Sequence, residues 1–151
     1  MARPLGQSDY RTLALFRQQL RRFLRFSERA AAGAGLTPRQ YQALLAVRGT
    51  PSGRLLVGEL AAALEIRHHS AVGLVDRLEG LGLVGRRADP ADRRRVLVSM
   101  TARGERTLAR LATAHRAELQ AMAPTLRRLL RSLGLVYRSP STTKSSPGSR
   151  A

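Results

Sequence analysis

Between residues 58 and 100 the hydrophobic period changes from helical to strand-like, and that switch restricts the chain to few folds. The stretch GELAAAL (58–64) consists of helix formers, Glu65 to Arg67 leave room for a tight turn, and residues 68 to about 80 carry Ala71, Leu74, Val75 and Leu78 on one helical stripe. His69, Val72, Gly73, Asp76 and Arg77 fall on or beside the opposite face, free to touch something else. After Gly82 the period drops to two: residues 83–87 and 94–100 read as strands joined by the turn-prone Asp89-Pro90-Ala91-Asp92. Two helices at helix-turn-helix spacing, followed at once by a hairpin, form one compact unit.

The flanks are helical. Tyr10, Leu13, Phe16, Leu20, Phe23 and Leu24 recur at three- and four-residue steps, predicting an amphipathic helix from Ser8, a candidate N-cap, to about Ala32. In LTPRQY, Thr37 caps, Pro38 takes the first helical position, Gln40 closes a capping box, and Leu36 with Tyr41 forms a hydrophobic staple. That helix is expected to end near Gly49, before the loop GTPSGR and a short apolar piece at 55–57. Thr101 is placed to cap a closing helix bearing Leu108, Leu111, His115, Leu119 and Met122, with Pro124 expected to break it before a further stretch carrying Leu126, Leu129, Leu130 and Leu133. The composition of 138–151 predicts disorder, and no internal repeat is present.

Charge narrows the partners. Lys and Arg number 27 against 10 acidic residues, a net +17 that self-repels unless an anionic polymer neutralises it. All but Lys144 are arginine, whose planar fork suits phosphate oxygens and guanine edges. The six aromatic residues leave 42–136 empty, which disfavours base stacking on single strands and favours double-stranded DNA. With no cysteine, thiolate zinc sites and disulfides are excluded, and His68 and His69, adjacent on a helix, point about 100° apart with no further ligand at metal spacing. No Walker loop, nucleophile elbow or acid/base pair argues for an enzyme, and no cofactor is expected; His115, on a leucine-bearing helix, reads as structural. Without a long apolar run or a signal-like N-terminus, no membrane partner is indicated and a soluble, cytoplasmic protein is expected.

The sequence RRADPADRRRVLVSMTARG resembles the wing of the MarR family of winged helix-turn-helix transcription regulators, matching at Arg86, Asp89, Pro90, Asp92, Arg93, Arg94, Thr101 and Gly104, with Met100 where the family usually has Leu. ELAAALEIRHHSAVGLVDRLEGLGLV resembles its helix-turn-helix at Leu60, Ala61, Leu64, Val75, Leu78, Gly82 and Leu83. Where many members have Ser-Pro-Ser-Thr, this chain has Arg67-His68-His69-Ser70. The resemblance implies a mainly α (α+β) fold: one domain over 1–136, with dimerisation helices at 8–35 and 102–136, a DNA-binding lobe at 36–101, and a disordered tail at 137–151. It also implies a homodimer, binding to a pseudo-palindromic site, a repressor role and relief by a small-molecule effector.

On this reading Arg67, His68, His69, Ser70, Gly73 and Arg77 face the major groove, where each base pair presents a distinct donor and acceptor pattern. Gly73 costs about 1 kcal/mol relative to Ala inside a helix, and close approach of the helix backbone to DNA offsets that as readily as chance tolerance explains it. Arg94 resembles the residue that enters the minor groove, with Asp92 bracing a neighbouring arginine, while Arg86, Arg87, Arg93 and Arg95 contact phosphates. Arg17 or Arg21 could pair with an effector carboxylate, although solvated arginines on a helix face are commoner. The competing class is a non-specific nucleic-acid packaging or RNA-binding protein driven by charge alone.

Overall fold

The computed structural model describes residues 4–135, so the expected disordered tail at 137–151 lies outside the described residues. The elements run α1 (Gln7–Gly33), α2 (Pro38–Gly49), β1 (Arg54–Leu56), α3 (Val57–Ala63), α4 (His68–Gly80), β2 (Val84–Ala88), β3 (Val96–Met100) and α5 (Ala102–Ser132). This is a mainly helical winged helix-turn-helix.

Local chemistry sets most boundaries. At α2 the capping box forms as expected: Gln40 N–H donates to Thr37 Oγ1 at 3.2 Å and Thr37 N–H to Gln40 Oε1 at 2.9 Å. The turn between α3 and α4 closes with Glu65 N–H on the Ala62 carbonyl at 3.1 Å and Ile66 N–H on the Ala61 carbonyl at 2.9 Å, which puts Glu65 in the left-handed region at φ 52°. Ser8 does not cap α1. The N-cap is Gly6, whose N–H donates to Asp9 Oδ2 at 2.8 Å, so the acidic residue one position further along organises the first turn.

The apolar piece at 55–57 supplies a third strand. The antiparallel sheet has the order β1-β3-β2, with Leu55 opposite Val98 and Arg86 also opposite Val98 across the other ladder. Leu44, Val47, Leu60, Val75, Leu78 and Val98 form its core with α2, α3 and α4. Pro124 does not break the last helix: α5 runs unbroken from Ala102 to Ser132. Packing along α1 outweighs the one lost backbone bond, since Met122 and Leu129 on either side of the proline are buried and Thr12 Oγ1 meets Ser132 Oγ at 3.1 Å.

His115 holds the junction of three helices. Its Nδ1 donates to the Leu111 carbonyl at 2.7 Å, and its Nε2 shares a hydrogen bond with Ser27 Oγ on α1 at 2.8 Å. Its ring stacks on Tyr41 of α2 at 4.4 Å and meets Phe23 and Phe26 edge-on at 5.9 and 5.3 Å. Burial pushes the Tyr41 hydroxyl up from its usual range.

The α1 stripe is divided. Phe16, Phe23 and Phe26 are partly buried, whereas Tyr10, Leu13, Leu20 and Leu24 remain exposed, as does Leu119 on α5. Among the described residues no helix is long and apolar enough to cross a membrane.

Candidate nucleic-acid interface

Helix α4 buries Ala71, Leu74, Val75 and Leu78 against the core and leaves Arg67, His68, His69, Ser70 and Arg77 exposed, with Gly73 half-buried. Its N-cap, Arg67, makes no side-chain capping bond. The first turn therefore presents backbone N–H groups with no side-chain acceptor, at the positive end of the helix dipole, and phosphate oxygens suit such a terminus.

Two grooves flank this helix and divide the candidate residues. On one side His68 and Val72 face Leu56, Val57, Glu59 and the wing residues Arg86, Arg94, Arg95 and Val96 around a groove of about 430 Å³. On the other, His69, Ser70, Gly73 and Arg77 face Thr37, Arg39 and Gln40 of the α2 start across a groove of about 500 Å³. A methyl group on Gly73 would meet nothing nearer than Arg77 Nη2 at 3.9 Å, so nothing inside the protein requires a glycine there.

The wing arginines are not equivalent. Arg94 is 91% exposed and is held from behind: its Nε and Nη2 donate to the two Asp92 carboxylate oxygens at 3.1 and 3.2 Å, and its backbone N–H adds a third bond at 3.1 Å. These bonds keep the Asp92 carboxyl below the usual carboxylate range, the Arg94 side chain contributing most. The turn is further fixed by Asp89 N–H on the Arg95 carbonyl and Ala91 N–H on Asp89 Oδ1.

Arg86 behaves differently. Its Nη1 donates to Asp76 Oδ1 at 2.5 Å and its Nη2 to Glu79 Oε1 at 3.0 Å, so it ties strand β2 to α4. Those partners, the Glu79 hydrogen bond foremost, raise its pKa further. Of the four arginines expected on phosphates, Arg87, Arg93 and Arg95 carry no ion pair among the described residues, while Arg86 is engaged within the protein.

Arg39 was not among the sequence candidates, although it lines the same groove as His69. The signal for it is its place in the first turn of the helix that LTPRQY opens. Among the described residues no group of His, Asp and Glu is arranged to hold a metal ion.

Comparison with known proteins follows the same lines. Residues 34–95, from the α1–α2 junction to the wing turn just before β3, match the model of the MarR family. The chain is 35% identical over 100 residues, 66% of its length and 59% of the relative's, to a protein of Thauera aromatica described as a transcriptional regulatory protein for the hcr operon. It spans little more than half the length of the curated relatives it matches. A solved structure from Pseudomonas aeruginosa described as a transcriptional regulator superposes with a TM-score of 0.60 at 34% identity, covering 79% of this chain and 93% of that one. CouR from Rhodococcus jostii RHA1, solved bound to p-coumaroyl-CoA, superposes at 0.63 with 25% identity, covering 89% and 99%.

Proposed function

The chain belongs to the MarR family of non-enzymatic, DNA-binding transcription regulators, and from that premise we propose that it is a cytoplasmic repressor that reads a pseudo-palindromic operator as a homodimer. The two α4 helices enter successive major grooves, about 34–36 Å apart, and the Arg94 side chains enter the adjoining minor grooves. The observation that carries this reading is the groove shared by His68 of α4 and Arg94 and Arg95 of the wing. One surface thus joins a base-reading helix to a backbone-reading hairpin.

The second copy is proposed to cover Tyr10, Leu13, Leu20 and Leu24 of α1 and Leu119 of α5, which a monomer leaves in water. Small-molecule relief is proposed by analogy with the Rhodococcus relative and its acyl-CoA ligand.

A packaging or RNA-binding protein driven by charge is the weaker reading, because Asp76, Glu79 and Asp92 are spent on orienting Arg86 and Arg94. Diffuse neutralisation of phosphates needs no carboxylates among its cations. The test is a fluorescence-anisotropy titration at physiological salt with duplex from upstream of the protein's own gene and with random duplex. Specific recognition gives at least a thousandfold preference for an operator-bearing fragment. Equal affinities overturn the proposal in favour of packaging.

A further inference from the structure

A third arginine-lined cavity shares no residue with the two grooves described above. It holds about 320 Å³ and is bounded by Ala34, Gly35 and Leu36 after α1, by Leu81 and Leu83 after α4, and by Arg103, Arg106, Thr107 and Arg110 of α5. The size sits at the lower end of small-ligand pockets, about 300 Å³. The three arginines are spaced three and four residues apart, so one face of α5 brings their guanidinium groups together. None of them has an ion pair or hydrogen-bonding side chain among the described residues, and no carboxylate lines the cavity.

Thr107 supplies a second and independent observation. It is 8% exposed, lines the cavity, and its hydroxyl makes no hydrogen bond among the described residues. Helical threonines ordinarily bond back one turn, as Thr113 does to the Ala109 carbonyl at 2.8 Å. Among the described residues no fully enclosed polar side-chain atom is left unpaired, so the Thr107 hydroxyl is not sealed off, and its residue lines this cavity.

The carbonyl ends of α1 and α4 also converge here, and they do not account for the arginines. Both ends close on themselves: Leu36 N–H meets the Ala31 carbonyl at 2.9 Å and Leu83 N–H the Leu78 carbonyl at 3.0 Å, with Gly35 and Gly82 in the left-handed region. Arg103 lies across Gly82, its Nη1 4.0 Å from where a Cβ would stand, without bonding either helix end.

We infer that this cavity binds a compact, multiply charged anion of the phosphate-ester class, with Thr107 hydrogen-bonding one oxygen and Arg103, Arg106 and Arg110 neutralising the others. Guanidinium forks pair with phosphate oxygens two at a time, and Leu36, Leu81 and Leu83 offer apolar walls for the group the phosphate is attached to. The inference concerns the chain without DNA and does not depend on operator recognition.

The test is calorimetric titration of the full-length protein with inorganic pyrophosphate at constant ionic strength. Wild type is expected to bind saturably; Arg106→Gln with Arg110→Gln weakens binding at least tenfold, and Thr107→Val weakens it several-fold with shape retained. Arg11→Gln with Arg25→Gln, the same charge change at exposed positions of α1, leaves binding unaltered. The proposal is overturned by absence of saturable binding to wild type, or by equal weakening in the α1 pair, which would mean diffuse charge. It is equally overturned if the α5 pair lowers affinity for duplex DNA while pyrophosphate binding is unchanged, because those arginines would then belong to a nucleic-acid track. Should Thr107→Val fail to fold, the two arginine pairs, all exposed positions, still decide the question.

Discussion

Replacing Gly104 with alanine tests how the wing is anchored to the rest of the protein. Thr101 and Gly104 form a corner: Thr101 Oγ1 donates to the Gly82 carbonyl at 2.6 Å and accepts from Gly104 N–H at 3.0 Å, while Thr101 N–H donates to the Leu83 carbonyl at 3.0 Å. A Cβ on Gly104 would overlap the Leu83 carbonyl oxygen, lie 2.9 Å from the carbonyl carbon and 3.2 Å from Met100 Cε. Restoring ordinary contact, about 3.5 Å between carbon atoms, means parting two backbones by on the order of 1 Å. Such overpacking costs about 1–3 kcal/mol or more, and loss of the Thr101–Leu83 bond adds about 1 kcal/mol. Alanine returns about 1 kcal/mol through helix propensity, leaving a net destabilisation of about 1–3 kcal/mol. For a domain of this size that lowers the midpoint of thermal unfolding by roughly 2–12 °C, read by circular dichroism at fixed protein concentration. Gly80→Ala, in α4 with nothing within 4 Å of its Cβ, is the matched control and is expected to be neutral or stabilising. If Gly104→Ala melts with the wild type, the close packing of α5 on the wing root is wrong.

Four further outcomes follow from the same geometry. Gly73→Ala should stabilise the free protein by about 1 kcal/mol, since its Cβ makes only an ordinary contact with Arg77 Nη2 at 3.9 Å, yet weaken operator binding at least several-fold; unchanged DNA affinity would remove the argument for close backbone approach. Arg94→Ala should cost about tenfold or more in operator affinity with little effect on random duplex, whereas Arg86→Gln, by freeing Asp76 and Glu79, should weaken both in the same anisotropy titration. Asp92 has a folded-state pKa below its ordinary 3.8, so its hold on Arg94 is complete above that range and lost only as pH falls through the lowered value; the ratio of Asp92→Asn to wild-type DNA affinity should therefore stay constant from pH 5 to 8, and a ratio that drifts over that interval contradicts the assignment. Leu20→Glu combined with Leu24→Glu should reduce the mass seen by light scattering from twice the 16.5 kDa of one chain to that of a monomer, with the thermal transition still cooperative.

The features that were legible in the sequence are those fixed over a few residues. The Thr37–Gln40 capping box depends only on neighbours along the chain and stands where local chemistry puts it, whereas the connection before α4 takes in Leu64 as well, and the hairpin closes at 92–95, where Arg95 N–H meets the Asp92 carbonyl at 2.9 Å, so that β3 begins at Val96 rather than Arg94. Pro124 departs from the expected break for the opposite reason: its local penalty is real, but burial of Met122 and Leu129 along the distant helix α1 decides the outcome. The α5 cavity was beyond sequence reasoning, because its walls come from three separate parts of the chain.

Arg86 shows where the boundary between the two kinds of knowledge falls. In a run of five arginines, counting charge cannot say which one turns inward. The strand period can: Val84 is buried, Arg86 is two residues on, and both therefore share the face of β2 that packs on α4. That face of α4 carries Asp76 and Glu79, three residues apart and one turn from each other, as a fork for one guanidinium. By the same pleat Arg87 faces away, opposite Leu97, and keeps its charge for an external anion. The wing's basic run is thus divided by strand geometry into one cation that fixes the hairpin on the recognition helix and others free to meet DNA. An assignment that treats the run as uniform overlooks the two carboxylates that already hold Arg86.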